Sequence, residues 1–90
     1  MPGNALIIVD AQNDFLPGGA LAVANGFDIF PFINDLIPMF THVVVTQDWH
    51  PAEHTSFAKN RNLREFTSIE ENGEKVMLWP VHCVENTYGA

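Results

Sequence analysis

Two short apolar runs, each closing on an aspartate, constrain this chain more than any other feature. Ala5-Leu6-Ile7-Ile8-Val9-Asp10 is continuous and apolar, the pattern of a strand buried on both faces. His42-Val43-Val44-Val45-Thr46-Gln47-Asp48 is a second such run, richer in β-branched residues. Between them Ile29, Phe32, Ile33, Leu36, Ile37 and Phe40 recur at helical spacing, with Asp28 as cap, Pro31 tolerated in the first turn and Pro38 as an early stop. The stretch from Asp10 to His42 is long enough for a right-handed βαβ crossover, so the two strands are expected to lie parallel. The class is therefore α/β. Two strands and one helix cannot cover both faces of a parallel sheet, so the architecture reads as incomplete. Further strands are expected from sequence beyond Ala90 or from another chain, and residues 1–90 alone are expected not to form a stable monomer.

Composition narrows the function classes. In 90 residues, Lys plus Arg is 4 against 11 for Asp plus Glu, a formal charge of −7. That balance opposes phosphate backbones and anionic lipid, which argues against nucleic-acid and membrane-surface partners. The longest stretch free of charged residues, 15–27, is broken by Pro17, Gly18, Gly19 and Gly26 and falls short of the ~18 apolar residues of a membrane span. The start has no basic segment, so no signal peptide is expected. Cys83 is the single cysteine, which excludes an internal disulfide and fits a reducing, cytoplasmic setting. All four basic residues lie between 59 and 75, and the polar segment Ala58 to Lys75 reads as a long surface loop.

Ligands of open α/β sheets bind beyond the carboxyl ends of the strands, where Asp10 and Asp48 both fall. Asp10 reads equally as a carboxylate poised to take a proton and as a turn residue. In Asp48-Trp49-His50, residues two apart project to one side of an extended chain, so a carboxylate and an imidazole can converge on one cation. His54 and His82 follow. Carboxylate and imidazole without thiolate suit a zinc, iron or manganese site with open positions, although a lone Asp-x-His arises often by chance. His42 reads as an ordinary surface or packed histidine. Cys83 beside His82 is not read as a nucleophile, because neighbours on an extended segment face opposite ways. Phe15 and Trp79 read as core packing or as flat walls for an aromatic ligand.

Four blocks taken in order carry a resemblance: Ile7 to Phe15, Pro17 to Val23, Thr46 to Pro51 with His54 and Ser56-Phe57, and Trp79 to Val84. They closely resemble the nicotinamidase/pyrazinamidase family of isochorismatase-like hydrolases, over residues 5 to 90. The resemblance implies a three-layer α/β fold with a mostly parallel sheet, of which residues 1–90 would be the N-terminal portion of a single domain. It implies a cysteine amidase that converts nicotinamide to nicotinate and ammonia in NAD salvage. Asp10 then resembles the catalytic aspartate, and Asp48, His50 and His82 resemble ligands of a divalent metal, zinc before iron or manganese. His54 resembles an additional ligand or a residue supporting them, and Phe15 and Trp79 resemble the aromatic pair that sandwiches the pyridine ring. In the family the nucleophilic cysteine and a catalytic lysine lie later than residue 90. The expected partner is a small aromatic amide, with self-association left open. The alternatives are a non-catalytic metal-binding or interaction fragment of the same fold and another isochorismatase-like amidase.

Overall fold

A computed structural model describes residues 3–90. The two apolar runs form strands β1 (Ala5–Ile8) and β2 (His42–Val45), paired in parallel with Ala5 opposite His42 and Ile8 opposite Val45. The helical stretch is shorter and more broken than its periodicity predicts. A 3-10 turn at Gly26–Ile29 leads into α1 (Phe30–Leu36), and a second at Ile37–Met39 contains Pro38. Pro31 sits in the first turn of α1, where a missing N–H costs nothing. Asp28 lies inside the preceding 3-10 turn and caps nothing with its side chain.

The expectation of a long loop at 58–75 is corrected. A 3-10 turn at Ala58–Arg61 is followed by a hairpin, β3 (Ser68–Glu71) and β4 (Glu74–Met77), with Ile69 opposite Val76. Its turn is Asn72-Gly73, both at positive φ (51° and 80°), the conformation that two-residue hairpins demand. The Arg61 guanidinium bonds the Glu71 carboxylate and ties the hairpin to the 3-10 turn. Asn-Gly between Ile69 and Val76 was the signal in the sequence; the surrounding glutamates and Lys75 masked it.

The strands are not buried as their composition predicts. Ile7 is 60% exposed, Val45 69% and Phe32 on α1 70%, because among the described residues nothing packs on these faces. The buried set lies elsewhere: Phe57, Ala58, Leu78 and Cys83, with Leu16, Gln12 and His82. Two segments with little regular structure supply most of it, and they lie side by side through bridges of His50 with Val84 and of Phe57 with Trp79. The Cα radius of gyration of 16.3 Å exceeds the ~12 Å of a compact domain of this length, which agrees with a parallel sheet represented by one pair and one helix. No helix among the described residues is long and apolar enough to cross a membrane.

Candidate metal centre and aromatic pocket

The parallel ladder outlasts the strands by one rung. The Thr46 N–H donates to the Ile8 carbonyl (2.9 Å), and the Asp10 N–H donates to the Thr46 carbonyl (3.2 Å). There the first strand turns away, with Asp10 at φ 52°, a left-handed conformation that costs a residue bearing a Cβ. Thr46 holds the turn: its hydroxyl donates to Asp10 Oδ1 at 2.8 Å.

Asp48, His50 and His82 come together. Asp48 Oδ2 is 3.5 Å from His50 Nε2 and 3.7 Å from His82 Nε2, and one ligand atom from each residue lies within 4.8 Å of the others. The two bridged segments explain the convergence. The His50 N–H donates to the Cys83 carbonyl (2.9 Å), and the Glu85 N–H donates back to His50 (2.8 Å), so His82 is delivered beside His50 from across the chain. His82 is buried, and its Nδ1 is 2.7 Å from the Pro80 carbonyl. A carbonyl only accepts, so Nδ1 is the donor there, and Nε2 is the ring nitrogen turned toward Asp48. Metal-bound histidines commonly have their other ring nitrogen held in this way, by a carbonyl, a carboxylate or water. Phe57 packs edge-on to both His50 and His82, at 5.5 and 5.4 Å between ring centroids.

Two imidazoles and one carboxylate, with no thiolate, form a set that holds zinc or a similar divalent cation and leaves positions open. His54 lies outside that set. Its ring is 4.6 Å from His50, and its Nδ1 accepts the Ser56 N–H (3.1 Å) beside the Ser56 hydroxyl (2.6 Å). The remaining ring nitrogen, Nε2, therefore carries the proton. His42 is an exposed residue of β2 and takes no part.

The three residues sit in a cavity of about 410 Å³ whose walls include Phe15, Leu21 and Trp79. Both aromatic residues singled out in the sequence thus face the cluster. Asp10 does not line that cavity. It lines an adjoining apolar one of about 400 Å³, with Val9, Val23 and Ile29, and Phe15 borders both.

Cys83 is fully buried, with its N–H donated to Asp14 Oδ2 at 2.7 Å. Burial first, then the charges of Asp14, Asp48 and Asp10, push its thiol up to about 11. A nucleophilic cysteine needs the opposite shift, so this thiol stays protonated and inert. Asp14 also accepts the Ala20 N–H, and a side chain on Gly89 would collide with its carboxylate, so this one aspartate draws three stretches of chain together.

Gln12, Thr46 and Asp14 received no role in the sequence reading. Running the parallel register past the strand ends would have found two of them, since it sets Thr46 and Asp48 against the turn that holds Asp10 and Gln12.

No family model matches the chain. Curated and solved proteins do. It is 49% identical over 87 residues to a nicotinamidase of Acinetobacter baylyi, covering 96% of this chain and 41% of that protein. A solved Acinetobacter baumanii nicotinamidase/pyrazinamidase superposes with a TM-score of 0.93 at 49% identity, over 100% of this chain and 44% of that one. A pyrazinamidase of Pyrococcus horikoshii, solved in complex with zinc, gives 0.76 at 42% identity, over 99% of this chain and 44% of that one. The chain thus spans less than half the length of the relatives it matches.

Proposed function

The chain matches the N-terminal part of nicotinamidases in sequence and in fold, and on that premise we propose that it forms the metal-holding and acid/base portion of an amidase that cleaves nicotinamide to nicotinate and ammonia. The observation that carries the reading is the convergence of Asp48, His50 and His82 in a cavity walled by Phe15 and Trp79. Asp48, His50 and His82 would hold a divalent metal, zinc first and iron or manganese by the same donor set. When bound, the metal supplies a coordination position for the ring nitrogen of an aromatic amide.

The chain's own residues do the rest. Phe15 and Trp79 present aromatic surface to the ring and exclude water from it. Asp10, held by Thr46, takes the thiol proton of a cysteine contributed from outside these 90 residues. The thiolate attacks the carboxamide carbon, the C–N bond breaks, and ammonia departs with a proton returned to it. Water then hydrolyses the thioester, which releases nicotinate and restores the thiol. Residues 1–90 are, on this reading, the N-terminal portion of one isochorismatase-like domain. The place of action is the cytoplasm, as a step of NAD salvage, which suits a free buried cysteine.

The test is ammonia release from nicotinamide by the intact protein with and without Asp10→Asn. Turnover by the wild type, lost in the variant with metal content unchanged, is the expected result. A protein that binds metal stoichiometrically and never releases ammonia would instead be a metal-binding module of the same fold.

A further inference from the structure

Where β1 leaves the ladder, the next rung falls on Asp48. In a continuing parallel pair the Asp48 N–H would donate to the Asp10 carbonyl, and the Asp48 carbonyl would accept from the Gln12 N–H. Neither bond forms. The Gln12 N–H donates to the Asp10 carbonyl instead (2.9 Å), closing a three-residue turn over Ala11 that uses up both groups. Asp48 is left with an unpaired donor and an unpaired acceptor at the mouth of the site.

The Gln12 side chain meets both. Its Oε1 accepts the Asp48 N–H at 2.8 Å, and its Nε2 donates to the Asp48 carbonyl at 2.8 Å. Gln12 is only 6% exposed, so this pair of bonds is shielded from water. A carboxamide is the one side-chain group with a donor and an acceptor side by side, as a peptide has, and the glutamine arm reaches where asparagine would fall one methylene short.

We propose that Gln12 is a positioning residue for the metal centre: its carboxamide replaces the missing rung of the sheet and fixes the backbone of Asp48, and so the direction of the Asp48 carboxylate toward His50 and His82. The inference rests on the metal reading above. It also explains how the Asp10 turn and the Asp48 ligand keep one geometry, since Gln12 lies two residues from the first and bonds the second. Partners of metal ligands are typically worth about 10- to 100-fold in affinity.

The experiment measures Co(II) affinity by chelator competition, and the visible spectrum of bound Co(II), in the intact protein and in Gln12→Met, Gln12→Asn and Asn13→Ala. Asn13 is the control: its amide donates to the Tyr88 carbonyl (2.7 Å) on the same turn but touches no ligand. Expected is a loss of about 10- to 100-fold with an altered spectrum in both Gln12 variants, and an unchanged constant and spectrum in Asn13→Ala. Should Gln12→Met fail to fold, Gln12→Asn decides. Gln12 variants that lose thermal stability but keep Co(II) affinity within about twofold and an unchanged spectrum would overturn the proposal, as would an equal loss in Asn13→Ala. Failure of the underlying metal reading looks different: the wild type then binds no Co(II), or binds it equally well after His82→Ala.

Discussion

The β1–α1–β2 unit and the bridged pair of segments at 48–58 and 78–84 invert the usual relation between regular structure and burial. The first has the strands and the helix, and its apolar side chains stand largely in solvent: Val45 is 69% exposed and Phe32 70%. The second has two isolated bridges, and it holds Phe57, Leu78 and Cys83 at zero exposure together with the candidate ligands His50 and His82. Periodicity reports which residues can share a face; it does not report whether anything covers that face. The candidate site lies in the covered region, where Phe57 packs against both histidines and holds their rotamers, as a metal centre would need.

The comparison breaks most sharply at the centre itself. His50→Ala or His82→Ala should take bound metal from stoichiometric to none in the intact protein, His54→Ala should lose part of it, and His42→Ala in the uncovered region should lose none. Asp10→Asn should keep the metal and lower turnover about 10²- to 10⁴-fold. Metal analysis of these variants sets the boundary of the site, and retention of metal in His82→Ala would move it elsewhere.

Packing gives the next largest contrast. Phe57→Ala should cost about 3–5 kcal/mol in denaturant unfolding, and Phe32→Ala about 0.5 kcal/mol or less. If Phe32→Ala costs well over 1 kcal/mol in the intact protein, the outer face of α1 is covered there and the contrast belongs to these 90 residues alone.

The buried thiol adds a pH signature to the covered region. Burial raises the Cys83 thiol from the 9.0 of a free cysteine to about 11, so between those values the folded chain keeps a proton that the unfolded chain has lost. Stability is unaffected by this group below pH 9 and falls as pH rises from 9 toward 11, by the order of 2 kcal/mol. Cys83→Ala should flatten that fall in unfolding curves across this range. Fast labelling of Cys83 by a thiol reagent at neutral pH would show that its surroundings are open.

The smallest expected effect is local. Gly73→Ala forces a side chain onto a residue at φ 80°, costs about 1 kcal/mol and loosens the hairpin. Co(II) affinity should not change, since no residue of the hairpin lines the cavity that holds Asp48, His50 and His82.

Several features depended on the sequence alone. The parallel pair follows from two apolar runs too far apart for a hairpin, and the end of α1 before Pro38 follows from proline's missing N–H. The pairing of Asp48 with His50 was legible because two-residue spacing is a local property of extended chain. The delivery of His82 was not, since it depends on the hydrogen bond from His50 to Cys83 across the fold; the sequence offered His82 only as one more imidazole, and the resemblance singled it out. Nor could local pattern show that Asp10 borders a different cavity from Asp48, His50 and His82, that the apolar strands lie bare, or that Gln12 bonds the backbone of Asp48. Spacing and residue type decide what a segment can do, because they act within a few residues. Which segments meet, and which polar groups are left for a side chain to satisfy, is decided only when distant stretches pack and each buried donor and acceptor must find a partner.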